Sequence, residues 1–246
     1  MVSFTPKNRQ QLPYLKQGEV HVWVFDLMVP ITSKAHTIVS ETEWLKINRL
    51  KHQQNRALAL SMRVQLKRLL SCYLGISPVE LQFDTTEFGK PYLKNQTLSF
   101  NVSHSGSQAL VAMTLEEDIG VDLEHWRYLD NLEGLVKRNF SSSEQAQWGN
   151  ISAAQREETF FNIWTCKEAF IKATGRGLGM GVSRCGFSLT PPNRLLECPV
   201  EYGSASDWSC VSLKVGEKVS ASLMLRSKHC EPIISTFDHE NPPQFI

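Results

Sequence analysis

Phe161-Asn-Ile-Trp-Thr-Cys-Lys-Glu-Ala-Phe-Ile-Lys172 decides how the rest of the chain is read. No Gly or Pro interrupts the sequence between Ile151 and Thr174, and Gly175 comes next, so the spacing predicts a helix that stops there. At about 100° per residue, Phe161, Trp164, Thr165, Glu168 and Lys172 share one face, and Ile163, Cys166, Phe170 and Ala173 share the opposite one. A helix apolar on nearly every side is a covered helix, and Glu168 and Lys172 are its exceptions. A carboxylate and an ammonium one turn apart in such surroundings are costly to desolvate unless charged partners hold them. On this helix alone an ordinary i,i+4 ion pair, worth roughly 0.2–0.5 kcal/mol, explains them as well.

Upstream, Asp118-Ile-Gly-Val-Asp-Leu-Glu-His125 has the period of a strand. Ile119, Val121 and Leu123 project on one face, and Gly120, Asp122 and Glu124 on the other. Two carboxylates side by side repel, and a hard divalent cation relieves them, although exposed strands also carry such pairs. Gly120 is expected to leave room for a bulky group beside the carboxylates.

Before this strand, Glu19–Val29 reads as a strand and Ser40-Glu-Thr-Glu43 as a helix cap. From Trp44 to Val79 there is no acidic residue, while Lys46, Arg49, Lys51, Arg56, Arg63, Lys67 and Arg68 fall in that span. Leu58, Met62, Leu66, Leu69 and Leu70 recur at helical intervals, giving an amphipathic helix that ends near Gly75. Its basic face is either solvated and matched elsewhere or a local anion site. Phe83–Leu115 reads as short strands, with a turn presenting Lys90. Ser103 and His104 point to opposite faces of an extended segment, where they cannot easily act on each other, and there is no GxSxG elbow, so phosphate contacts fit better than a Ser/His hydrolase. Asn131–Asn150 reads as a short helix, a surface loop and a helix start capped by Ser141 or Ser142. Gly175–Gly181 lacks the GxGxxG pattern and a preceding strand, so it is no dinucleotide site. Phe187–Leu189, Trp208–Val215 and Val219–Leu225 read as strands, and Glu231–Ile246 as a loose arm.

Residues 54–74 then 81–114, and 151–173 then 185–225, repeat helix, loop and strands. The expected architecture is α+β with two similar halves, residues 1–115 and 116–246, and a ligand between them. The 246 residues are 41% hydrophobic with a formal net charge of +1, which excludes a globally basic nucleic-acid binder and places any anion site locally. Met1–Gln17 has no signal-peptide pattern and no run is long enough for a membrane span. The six cysteines have no metal-ligand spacing, which suits a reducing cytoplasm.

Four segments, in order, resemble the surfactin-type 4′-phosphopantetheinyl transferases: Gly89-Lys90-Pro91, Asn101-Val-Ser103-His104-Ser105, Ile119-Gly-Val-Asp122-x-Glu124, and Trp164-x-x-Lys167-Glu168-Ala169-x-x-x-Lys172. The resemblance spans roughly Lys46 to Gly177 and implies a pseudo-dimer of two related α+β subdomains. It implies transfer of the phosphopantetheine arm of coenzyme A to a serine of an apo acyl or peptidyl carrier protein, with adenosine 3′,5′-bisphosphate released. Asp122, Glu124 and Glu168 would hold Mg²⁺, or Mn²⁺, against the pyrophosphate. Glu168 would also take the serine proton, and Lys172 would stabilise charge on the leaving phosphate. Lys46, Lys90, Ser103 and His104 would bind coenzyme A phosphates, and Ala59 departs from a polar contact found in some members. The carrier would meet Lys137, Arg138 and Arg176, and the enzyme would work as a cytoplasmic monomer. Two other classes are also open on these residues: a metal-dependent phosphodiesterase or nuclease, and a non-catalytic module that binds carriers or nucleic acid.

Overall fold

The computed structural model describes residues 2–3, 14–31, 37–115, 118–191, 193–227 and 231–238. Most of Met1–Gln17 and the last eight positions of the expected C-terminal arm lie outside them. The chain runs β1 (Val2–Ser3), β2 (His21–Asp26), α1 (Glu41–Asn48), α2 (Gln53–Leu74), β3 (Phe83–Thr85) and β4 (Pro91–Leu93). It continues with β5 (Ser99–Ser105), β6 (Gln108–Thr114), β7 (Ile119–His125), α3 (Leu132–Asn139), α4 (Ser142–Trp148) and α5 (Arg156–Thr174). Then come β8 (Gly186–Phe187), β9 (Leu195–Glu197), β10 (Ser209–Lys214), β11 (Val219–Leu225) and β12 (Ile233–Thr236).

Among the described residues two four-stranded sheets form, in the orders β12-β2-β6-β5 and β1-β10-β11-β7. Pleat alternation sets the layers. Val22, Leu110 and Ala112 of the first sheet meet Val121, Leu123, Ala221 and Leu223 of the second in one apolar cluster. The other faces take the helices: Trp23, Phe25, Val111 and Met113 pack with Leu66, Leu69 and Leu70 of α2, while Met224 packs with Ile163, Cys166 and Phe170 of α5. Both long helices end on a left-handed glycine, Gly75 at φ 65° and Gly175 at φ 69°, as the sequence signals require.

The halves correspond in their order of elements, except that α3 has no counterpart between β2 and α1 among the described residues. In each, a strand leads to a capped helix, a long helix, a two-stranded piece and a hairpin. Asp26 and His125 pair with Gln108 and Val219, the first residues of β6 and β11, which aligns β2 with β7. Two ends depart from a division at residue 115. β12 lies parallel to β2 in the first sheet, with Ile234 and Phe237 buried, and β1 lies parallel to β10 in the second. Residues 231–238 are therefore a packed edge and not a loose arm; Ile233-Ile-Ser-Thr236 is too short to stand out as a strand in sequence. No helix among the described residues is long and apolar enough to cross a membrane.

Where β5 passes β7, side chains of β5 supply the cross-links. Asn101 Oδ1 accepts the Val121 N–H at 2.9 Å, and Ser105 Oγ accepts the His125 N–H at 3.1 Å. Asn101, Ser103 and Ser105 share one face of β5 by alternation, so the Asn-Val-Ser-His-Ser segment joins the two halves.

Candidate active site

The carboxylate face of β7 is turned toward α5. Gly120 makes this possible: a Cβ there would stand 2.0 Å from the Ala169 carbonyl oxygen and 2.5 Å from the Ala173 nitrogen. The bulky group that Gly120 admits is the helix backbone itself. So close a crossing brings Lys172 over the strand, where its ammonium donates to Asp122 Oδ1 at 2.7 Å and to the Val121 carbonyl at 3.1 Å. Ser103 Oγ donates to the same Asp122 oxygen at 2.8 Å. Asp122 Oδ2 is buried with no hydrogen-bond partner among the described residues, and Asp122 is only 4% exposed.

Burial dominates the protonation of these groups. It pushes Asp122 above the usual carboxylate range, with the Lys172 charge and the Lys172 and Ser103 hydrogen bonds opposing it. Glu168 is pushed up to about 7, first by burial and then by the charge of Asp122; Glu124 adds to the rise and Lys172 opposes it. Glu124 accepts from Ser105 Oγ at 3.3 Å and is paired with Arg127 at 3.0 Å.

Hydrogen bonds therefore join Asp122, Lys172 and Ser103, and Glu168 and Glu124 lie near enough for their charges to act on one another and on Asp122. The structure gives several sequence-expected phosphate ligands other neighbours. Ser103 is 6% exposed and bonded to Asp122. Lys90 donates to the Ile119 carbonyl at 2.9 Å and the Ala173 carbonyl at 3.2 Å, pinning the β3–β4 hairpin to the start of β7 and the end of α5. Its burial holds the ammonium below its ordinary pKa, with Asp118 opposing. His104 lies on the exposed side of β5 and Lys46 on the exposed side of α1. The basic face of α2 is partly matched within the fold: Lys67 and Arg63 stand 3.3 Å and 3.5 Å from Glu43, and Arg63 also covers the Phe83 ring. Lys137 and Arg138 are exposed in the last turn of α3, and Arg176 covers the Phe88 ring. A cavity of about 380 Å³ opens beside Lys90, lined also by Tyr92, Gln96, Ser99, Asp118 and Thr174.

Whether these residues suit a divalent cation is decided by their chemistry. Among the described residues no three carboxylate, imidazole or thiol groups stand clustered as a ready metal site. Ammonium and guanidinium groups supply the counter-charge instead, Lys172 to Asp122 and Arg127 to Glu124. The unpartnered Asp122 Oδ2 and the mutual repulsion felt by Glu168 are what an oxygen-seeking cation would relieve, so the residue set fits one.

Two residues of the resembling segments have roles that the sequence alone does not give them: Asn101, whose amide oxygen holds β7, and Lys167, fully buried against Glu144. The second has a signal, because Ser141-x-x-Glu144 is a capping box like Ser40-x-x-Glu43.

Known proteins share this sequence pattern along most of its length. Residues 118–223 match the model of the 4′-phosphopantetheinyl transferase superfamily, and residues 31–116 that of the 4′-phosphopantetheinyl transferase N-terminal region. The 4′-phosphopantetheinyl transferase HetI of Nostoc sp. is 32% identical over 225 residues, spanning 89% of this chain and 92% of the relative. A phosphopantetheinyl transferase of Thraustochytrium sp. is 28% identical over 165 residues, 61% of this chain and 57% of the relative. The 4′-phosphopantetheinyl transferase ffp of Bacillus subtilis is 27% identical over 173 residues, 70% of this chain and 76% of the relative.

Proposed function

The chain belongs to the 4′-phosphopantetheinyl transferase superfamily, and from that premise we propose how its residues carry out the reaction, as a surfactin-type enzyme acting on an apo acyl or peptidyl carrier protein. The enzyme transfers the 4′-phosphopantetheine of coenzyme A to a carrier serine. The serine oxygen bonds to the phosphorus bearing pantetheine, and the bond from that phosphorus to the bridging oxygen breaks. Adenosine 3′,5′-bisphosphate leaves with the electron pair. Little covalent help is needed; positioning and neutralisation of charge carry the rate.

The observation that carries this reading is Lys172 bonded to Asp122 at 2.7 Å one turn from Glu168, whose carboxyl is pushed up to about 7 by burial and the charge of Asp122. A base with that pKa is matched to removing the serine proton at neutral pH. Lys172, partly exposed at the end of α5, is assigned to the negative charge that develops on the leaving phosphate. Ser103 orients Asp122. His104 and Lys46, both solvent-facing, are assigned to coenzyme A phosphates. Asp122, Glu124 and Glu168 would hold Mg²⁺, which when bound neutralises pyrophosphate charge. The carrier is assigned to the α3 end bearing Lys137 and Arg138 and to Arg176. Both halves lie in one chain, so a monomer is the expected working unit.

The test is to incubate the protein with coenzyme A, Mg²⁺ and an apo acyl carrier protein and to weigh the carrier. A gain of one phosphopantetheine arm is expected; no gain with any of several carriers removes the proposal.

The site sets two further outcomes. Transfer needs Glu168 ionised, so kcat measured at low Mg²⁺ is expected to rise with pH through about 7. Saturating Mg²⁺ moves that limb to lower pH, because a cation favours the carboxylate form; a limb that ignores Mg²⁺ separates Glu168 from the metal. Lys90→Met leaves the Ile119 and Ala173 carbonyls without their charged donor. It is expected to lower stability by about 2 kcal/mol in urea denaturation. Unchanged stability with only a raised KM for coenzyme A would return Lys90 to the phosphates.

A further inference from the structure

The Ser-x-x-Glu capping box occurs in both halves. In each, the glutamate goes on to pair with a lysine buried on the long helix: Glu43 with Lys67 at 3.3 Å, and Glu144 with Lys167 at 2.8 Å. The copies differ in enclosure. Glu43 is 14% exposed and shared with Arg63, whereas Glu144 and Lys167 are both 0% exposed. Glu144 Oε1 accepts the Phe187 N–H at 2.8 Å, and Lys167 also donates to the Val182 carbonyl at 3.1 Å and to the Cys185 carbonyl. They differ too in the next residue of the helix. Arg68 comes after Lys67, and Glu168 comes after Lys167.

We propose that Lys167, held by Glu144, is the positioning residue for Glu168, fixing the rotation of α5 about its own axis. This rests on the reading of Glu168 as the group that takes the serine proton. Adjacent residues on a helix diverge by about 100°, so an ammonium anchored to α4 and to the 182–187 segment sets the direction in which the next side chain leaves the helix. A carboxylate about 6 Å from the axis moves by about 2 Å for a 20° rotation. Misplacement of that order lowers a rate by roughly 10²-fold. The Gly120 crossing fixes how near α5 lies to β7; the Lys167 anchor fixes which way it faces. The Glu43–Lys67 pair performs the same tie in a half where no carboxylate succeeds the lysine, and so serves as an internal control.

The experiment compares two double variants of the full chain with coenzyme A, Mg²⁺ and apo carrier: Glu144→Gln with Lys167→Met, and Glu43→Gln with Lys67→Met. Both are expected to lower Tm. Only the first lowers kcat, by about ten-fold or more, with KM for coenzyme A held within about two-fold. If the first does not fold, Ser141→Ala against Ser40→Ala asks the same question through the caps, and a selective kcat loss in Ser141→Ala is then expected. Equal kcat losses in the two halves, or a second-half variant that loses Tm and keeps kcat, would overturn the proposal. Glu168→Gln run alongside separates the premise: if it still transfers, the reading of Glu168 fails whatever the pairs do.

Discussion

Glu168→Gln is expected to lower kcat by about 10³-fold or more while making the metal-free protein more stable at pH 8. The two effects have one cause. Burial and the charges of Asp122 and Glu124 raise the folded-state pKa of Glu168 to about 7, from an ordinary value of 4.5. Between those values the native state holds the proton more tightly than the unfolded chain. Stability is therefore complete below about pH 4.5 and is lost as pH rises through about 7, where the native carboxylate must ionise among like charges. Glutamine has the same shape and cannot ionise, so the variant escapes that loss. The full shift would correspond to about 3 kcal/mol; Glu168 is only partly enclosed, and of order 1–2 kcal/mol is the expected gain at pH 8. At pH 4 the gain vanishes. Thermal or urea unfolding of both proteins in EDTA at the two pH values reads the stability, and carrier mass reads the transfer. Transfer at the wild-type rate would remove Glu168 from the chemistry, and equal stability at pH 8 would mean its carboxylate is not crowded by Asp122 and Glu124. Groups kept in place against their own electrostatic preference mark sites held for function.

How much of this is legible in sequence depends on the range of the interaction. The alternation of Ile119–Glu124 and the left-handed glycines after α2 and α5 are local, and the structure repeats them. The Ser40 cap is local as well, and so is its Ser141 counterpart. The covered character of α5 is readable because aromatics and aliphatics occupy almost every side of it. Partner choice is not. Lys90 and Ser103 carry the groups a phosphate wants, and nothing in their own segments tells that backbone carbonyls at Ile119 and Ala173, or the Asp122 carboxylate, take them first. Lys167 looks like any helix lysine until α4, whose Glu144 lies 23 positions earlier in the chain, folds back on it. The basic run on α2 resembles an anion site in sequence because the matching carboxylate, Glu43, sits on a different helix.

Gly120→Ala is expected to be the most damaging single methyl in the protein. The alignment of β2 with β7, and of the two buried lysines, sets His21 opposite Gly120 and Leu69 and Tyr73 opposite Ala169 and Ala173. In the first half that space is filled: the His21 ring meets the Tyr73 hydroxyl, and Trp23 Nε1 donates to the same oxygen at 2.9 Å. Trp23 and Phe25 stand where Asp122 and Glu124 stand in the second half, so at these positions the first copy is packed with apolar side chains in place of carboxylates. Three small residues, Gly120, Ala169 and Ala173, let α5 lie directly on β7 and bring Lys172 within 2.7 Å of Asp122. The atoms an added Cβ would strike are helix backbone, which cannot swing aside as a side chain can. Overpacking of this kind costs about 3 kcal/mol or more, and what still folds must lift α5 off the strand. Lys172 and Glu168 then leave Asp122, so kcat per folded molecule is expected to fall by about 10²-fold. Gly149→Ala is the control. Nothing lies within 4 Å of a Cβ there and its φ is −58°, so stability is expected to be unchanged or raised by up to about 1 kcal/mol. Urea unfolding and kcat normalised to folded protein measure both variants. Wild-type stability and kcat in Gly120→Ala would mean that α5 does not depend on that glycine for its place over Asp122.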